Sequence, residues 1–167
     1  MKASEKAFEL IKQFEGLRLT AYKAVSTEKN YTIGYGHCSP LVRKGEMILP
    51  EVAENMLRQD VAEIEKQLNS LGFNLTQNQY DALVSLIYNI GWYQFRYSMT
   101  HEMLKRMVQE QVSPEWVARR MTLWVRSGDK VLKGLQKRRC AEANHFLGYE
   151  KFTLTEKGIE EGWLETE

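Results

Sequence analysis

Two stretches near the beginning of the chain hold residues that could do acid–base chemistry, Phe14-Glu15-Gly16 and Tyr31-Thr32-Ile33-Gly34-Tyr35-Gly36-His37. Glu15 follows a run in which Ala7, Phe8, Ile11 and Phe14 recur at helical spacing, and Gly16 stops that run at once. A carboxyl at a helix C-terminus meets the negative end of the helix dipole, and Phe14 beside it adds desolvation. Both influences favour the protonated carboxyl, the form that donates a proton to a leaving group. A solvated Glu15, or one paired with Arg18 or Arg139, is the structural alternative. Thr32, taken alone, is a β-favouring residue in a strand. His37 reads as a hydrogen-bonded interior histidine before it reads as a catalyst. Gly34 and Gly36 let the backbone turn sharply or approach a ligand.

The elements that must position these residues are legible in outline. Ser4 is a good N-cap for a helix over 5–14. Residues 17–37 alternate and are β-rich, with Lys29-Asn30 suited to a tight hairpin turn between Thr27-Glu28 and Tyr31-Thr32. From Pro50, the residues Val52, Ala53, Met56, Leu57, Val61, Ile64 and Leu68 mark one stripe of a helix about 20 residues long. Thr76 and Gln79 form a capping box that opens the next helix, with Leu83, Leu86 and Ile87 on its buried face. Further helices are expected near 98–109, 114–124 and 135–147. Trp92, Trp116 and Trp124 fall in helical segments and read as core. Lys130, Lys133, Lys137, Arg138 and Arg139 read as a solvated face.

At 167 residues, one domain with a short appendage is expected: a domain over 1–150 and an acidic C-terminal tail over 151–167. The tail carries five Glu against two Lys, so the net +1 of the chain becomes +4 for the domain and −3 for the tail. Trp163 and Leu164 could dock the tail on the domain, or it could fray. The mildly basic domain suits an anionic polymer. A nucleic-acid-binding helical protein is the main non-enzyme rival, through Arg119-Arg120 or Arg138-Arg139, but the near-zero charge and the Gly-Tyr-Gly-His strand fit it poorly. His37, His101 and His145 lack metal-ligand spacing, and no phosphate-binding or dinucleotide-binding loop is present. Cys38 and Cys140 read as free thiols. The first sixteen residues lack the apolar core of a signal peptide, and no stretch is apolar enough to span a membrane.

The two opening stretches together resemble the signature of phage-type lysozymes, a helix-ending Glu-Gly followed by a Thr-Ile-Gly-x-Gly-His strand. Downstream, Gln77-x-Gln79-x-Asp81-Ala82-Leu83, Asn89-x-Gly91, Trp124 and Gly134-Leu135-x-x-Arg138-Arg139-x-x-Glu142 follow in the family's order, so the resemblance spans 5–148. It implies an α+β, lysozyme-like fold, with a small N-terminal β lobe and a larger C-terminal helical lobe joined by the helix near 51–70. The implied activity is an endolysin's: hydrolysis of the β-1,4 linkage between N-acetylmuramic acid and N-acetylglucosamine in bacterial peptidoglycan, with inversion. Glu15 would be the general acid and the Thr32 hydroxyl would position the attacking water. Tyr22 and Tyr35, with Tyr31, would line a sugar cleft. The resemblance implies no metal and no cofactor, a monomer, synthesis in the host cytoplasm and release to the wall through a holin-like partner.

The chain departs from the family at one position. Members commonly carry an aspartate nine residues after the glutamate and six before the threonine, where this chain has Ala24 and Ser26 in a segment two residues longer. Glu28 is the only carboxylate between Arg18 and Thr32. It could supply the base from a reshaped hairpin, or be a solvated hairpin residue. Glu15 could instead act alone, as in lytic transglycosylases that form anhydro-muramic ends. A third expectation is a catalytically dead peptidoglycan-binding protein.

Overall fold

The computed structural model describes residues 1–23 and 27–154. Helix α1 (Glu5–Glu15) opens where the Ser4 side chain accepts from the Lys6 N–H, a cap that contributes about 1 kcal/mol. It closes at Gly16, whose N–H makes the last helical bond, to Lys12 O at 3.1 Å, and whose φ of 69° turns the chain out of the helix. Asp81 fixes the start of the helix. It accepts from the Ser4 backbone N–H at 2.9 Å, from the Ser4 hydroxyl and from Gln77 Nε2 at 2.8 Å. With Ala7, Phe8 and Ile11 buried in the core, α1 is a fixed strut, about 16 Å long, that presents Glu15 at its far end.

Strands β1 (Arg18–Tyr22), β2 (Tyr31–Gly34) and β3 (His37–Ser39) form an antiparallel sheet in that order. Tyr22 pairs with Thr32 and Thr32 with Cys38, so the three lie in one row across the sheet. Ile33, fully buried, pairs with His37, whose Nδ1 lies 2.9 Å from Asp60 Oδ2. The histidine is hydrogen-bonded as expected, though only partly buried. The tight turn sits at Tyr35-Gly36 and not at Lys29-Asn30. Gly34 and Gly36, at φ 68° and 90°, provide the left-handed backbone that a tight turn needs, and Asn30 does not adopt it. Thr27 and Glu28 therefore lie in the long link between β1 and β2 and belong to no strand.

Helix α2 (Pro50–Asn69), about 30 Å long, joins this sheet to the rest. Its buried stripe is Ala53, Leu57, Val61, Ile64 and Leu68, while Val52, expected on that stripe, is exposed. Ala53 seats the sheet: a Cβ on Gly34 would fall 3.3 Å from Ala53 Cβ. The larger lobe holds α3 (Gln77–Ile90), α4 (Trp92–Arg96), α5 (Met99–Val108), α6 (Pro114–Met121) and α7 (Lys133–Leu147). A small hairpin of β4 (Arg126–Ser127) and β5 (Lys130–Val131) precedes α7. Helix α3, opened by the Thr76–Gln79 capping box and buried continuously from Tyr80 to Ile87, packs on α1, α2 and α7. The architecture is α+β: a small N-terminal β lobe and a larger helical lobe joined by one long helix.

Trp92 and Trp124 are partly buried against the core, and Trp124 Nε1 donates to Thr100 Oγ1 at 3.0 Å. Trp116 is 54% exposed, against expectation, because it follows Pro114 on the first turn of α6, whose buried face is carried by Val117, Ala118 and Met121. The segment after residue 150 begins inside the core. Phe152 is buried, with Asn144 accepting from the Lys151 and Phe152 N–H groups and donating to Phe152 O. The rest of the acidic segment, with Trp163 and Leu164, lies outside the described residues. Among the described residues no helix is long and apolar enough to cross a membrane.

The helical lobe also sets an acid limit. His101 is buried between the rings of Phe73 and Phe95, with Arg96 donating to its Nδ1 at 3.3 Å. Burial, then Arg96 and Lys105, lower its pKa below the ordinary 6.5. Burial lowers His145 as well, with Asp81 opposing. The unfolded chain therefore binds more protons than the folded one below about pH 6.5, and stability falls as the pH drops through that value. His101→Phe is expected to lose less thermal stability between pH 7.5 and 5.5 than the parent, measured as the change in Tm.

Candidate active site

Glu15 is the meeting point of three elements. From α7, Arg138 Nη1 donates to Glu15 Oε1 at 2.5 Å. From the β2–β3 turn, Gly36 lies beside the other oxygen: a Cβ there would fall 3.2 Å from Oε2 and 3.5 Å from Cδ. From its own helix, Glu15 has the C-terminal position read from sequence. Its side chain is 21% exposed, enough to meet a ligand and too little to rotate freely. The ion pair that the structural alternative gave to Arg18 or Arg139 is made by Arg138, which puts a positive charge against the carboxyl.

Arg138 is held by α3 and by its own helix. Its Nε donates to Glu142 Oε1 at 2.9 Å and its Nη2 to Ser85 O at 3.0 Å. Glu142 also accepts from the Ser85 hydroxyl at 2.7 Å and from Arg139 Nη1. Arg139 completes the set by donating to Trp124 O at 2.9 Å and to Asn89 Oδ1. Burial works against the charge on Arg138, but Glu142 and Glu15 outweigh it and leave the guanidinium more basic than usual. Arg138 and Arg139 are thus almost fully buried and not part of a solvated face. The signal for this was the spacing Arg138-Arg139-x-x-Glu142, which places both guanidiniums within one helical turn of one carboxylate.

Glu15 opens into a cavity of about 360 Å³ lined by Phe14, Asn89, Leu132, Gly134, Leu135 and Arg138, with Gln13 at its edge. A second cavity of about 390 Å³ shares Asn89, Leu132 and Leu135 and adds Trp124, Arg126 and Ser127. Together they make a cleft running from α1 along α7 to the β4–β5 hairpin. A larger cavity, about 600 Å³, lies at Asn74, Gln79, Met107 and Val112, and none of the residues predicted to do chemistry borders it. The smaller cleft, with Glu15 in its wall, is the candidate site.

The other predicted site residues divide. Tyr22 and Thr32 are neighbours in one sheet row. Tyr22 is partly buried under the Arg18 guanidinium, 4.7 Å from its ring centroid. Tyr35 sits in the turn against Glu15, with Lys12 Nζ 5.6 Å from its ring centroid and its carbonyl accepting from the Tyr88 hydroxyl at 2.7 Å. Tyr31 stacks under Lys23. Glu28 is partly buried in the link between β1 and β2, while Ala24 and Ser26 lie outside the described residues. Among the described residues no group of three or more His, Cys, Asp or Glu is placed to hold a metal ion.

Cys38 is a neighbour of Thr32 that the sequence alone did not single out. It is exposed and paired with Thr32, whereas Cys140 is half-buried and burial pushes its thiol up to about 11. Iodoacetamide at neutral pH is expected to alkylate Cys38 first, since a thiol needs access and ionisation to react. If the Thr32 row borders bound substrate, single alkylation removes most lytic activity and Cys38→Ser resists the reagent. Full activity after stoichiometric labelling of Cys38 would place substrate away from this row.

The phage lysozyme family model matches residues 12–142. An endolysin of Bacillus phage PZA is 45% identical over 143 residues, 85% of this chain and 54% of that protein. An endolysin of Bacillus phage B103 is 43% identical, over 88% of this chain and again 54% of that protein. The chain therefore spans about half the length of these curated relatives. Among solved structures, the muramidase domain of SpmX from Asticaccaulis excentricus is 36% identical with a TM-score of 0.76, covering 87% of this chain and 97% of that one. A variant of P22 lysozyme is 32% identical with a TM-score of 0.72, covering 88% and 99%. The two-lobed fold is lysozyme-like, and the chain belongs to the phage lysozyme family.

Proposed function

We propose that this chain is a muramidase that hydrolyses the β-1,4 bond between N-acetylmuramic acid and N-acetylglucosamine in bacterial peptidoglycan, with Glu15 as general acid. The observation that carries the reading is the seat of Glu15 in the cleft wall, with Oε1 taken by Arg138 and Oε2 backed by the Gly36 turn. Family membership supplies the substrate class. In this scheme the protonated Glu15 gives its proton to the glycosidic oxygen as the bond to the muramic C1 breaks. A water, held by the Thr32 hydroxyl, attacks C1 from the opposite face, which inverts the anomeric centre. The base that takes the water's proton is Glu28 in this reading, because position 24 carries alanine. Tyr22 and Tyr35 flank the sugar.

That alanine also favours a second reading. With one carboxylate, the muramic 6-hydroxyl can replace water and leave an anhydro end. Mass spectrometry of muropeptides released from purified peptidoglycan by the parent and by Glu15→Gln separates the outcomes. Reducing muramic ends that vanish in the variant support the hydrolase. Products lighter by one water indicate the transglycosylase. Saturable binding to the wall with no released products from the parent would overturn the enzyme reading and leave a wall-binding domain.

A further inference from the structure

Tyr88 lies on α3, outside every motif used above, and its half-buried hydroxyl donates to Tyr35 O at 2.7 Å. Tyr35 is the residue before Gly36, which lies so near Glu15 Oε2 that a Cβ on it would fall 3.2 Å from that oxygen. One turn earlier on the same helix, Ser85 O accepts from Arg138, which holds Glu15 Oε1. Helix α3 thus reaches both carboxyl oxygens by separate routes, through Ser85 and Arg138 to one and through Tyr88 and the β2–β3 turn to the other. The second route crosses from the helical lobe to the β lobe, so it also fixes how the small sheet sits against Glu15. Gly36, at φ 90°, has no side chain of its own to hold the turn in place. Burial, followed by Asp60 and Glu15, raises the pKa of the Tyr88 hydroxyl, so it stays a neutral donor.

We infer that Tyr88 is a positioning residue for the reaction: its hydroxyl holds the Tyr35-Gly36 turn against Glu15 and so sets the direction in which Oε2 presents its proton. The inference rests on Glu15 being the acid. A hydroxyl that acts on orientation changes turnover more than substrate binding, because misplacing a reacting group by about 1 Å costs up to about 100-fold in rate.

The test is the split between kcat and KM on soluble, uncross-linked glycan strands. Tyr88→Phe is expected to lower kcat about 10- to 100-fold with KM within about twofold. Tyr80→Phe is the control, since it removes a hydroxyl from the same helix that donates to Met1 O at 3.3 Å, far from the turn. It is expected to keep the parent kcat. Tyr88→Phe with kcat within twofold of the parent overturns the inference. So does an equal loss in both variants, which marks general loosening of α3. An active Glu15→Gln variant removes the premise and the inference with it, and that result does not depend on Tyr88.

Discussion

Glu15→Gln is expected to lower the rate of wall lysis by about 10²- to 10⁴-fold, the span over which general acid catalysis operates. Glutamine fills the same space and still accepts from Arg138, but it has no acidic proton to give. The substitution is not neutral for the fold. Arg138 and Arg139 carry two buried positive charges against Glu142 and Glu15, and the variant, like Glu15 carrying its proton, leaves one of them without a counter-charge. Because the glutamine oxygen keeps the bond to Nη1, the loss stays below the about 1.5–3 kcal/mol that a whole hydrogen bond to a charged partner is worth. Each kcal/mol lowers Tm by about 2–4 °C in a domain of this size, so a fall of less than about 12 °C is expected. Lysis must therefore be assayed well below that midpoint. A variant that remains folded at 25 °C and still clears cell walls within tenfold of the parent would remove Glu15 from the chemistry.

Local signals in the sequence were strong where helix ends are concerned. Ser4 and Gly16 bound α1, and the Thr76–Gln79 box opens α3, because caps are decided by residues three or four positions apart. The stripe expected on α2 is buried except at Val52, which faces solvent on the first turn, and Met56, which is only partly buried. Short elements were not legible. Helix α4 has five residues with no side-chain cap, and β4 and β5 have two residues each, too few for any periodicity to show. A tight turn at Lys29-Asn30, expected because Asn permits positive φ, does not form ahead of β2; the chain's tight turn comes after β2, with positive φ at Gly34 and Gly36.

The largest gaps concern contacts made across the chain. Glu15 and Arg138 are separated by 123 positions, and Tyr88 and Tyr35 by 53, so neither pairing has a local trace. Arg138 and Arg139 belong to a basic run of the kind that is ordinarily solvated; the packing of α3, α6 and α1 on α7 reverses that, and the spacing to Glu142 is its one local signal. The Glu15 address was local and could be read; what holds the carboxyl in place could not.

Glu142→Ala is expected to cost the fold about 3–5 kcal/mol, the ordinary penalty for removing one partner of a buried ion pair. Glu142 is fully buried and is the acceptor for the Ser85 hydroxyl, Arg138 Nε and Arg139 Nη1 at once. Burial already lowers the basicity of Arg139 even with Glu142 beside it, so the guanidinium has little to offset its desolvation once the carboxylate is gone. At about 2–4 °C per kcal/mol, the Tm falls by about 6–20 °C. Glu142→Gln keeps an acceptor and the volume, and should recover part of the loss while still lacking the charge. The comparison also reaches the site, because Arg138 would then have Glu15 as its only carboxylate. In any Glu142 variant that folds, Arg138 is drawn to Glu15 alone and turnover falls beyond what reduced stability explains. A Glu142→Ala protein with the parent's Tm would mean that the two guanidiniums reach water, and that the buried cluster does not anchor Glu15.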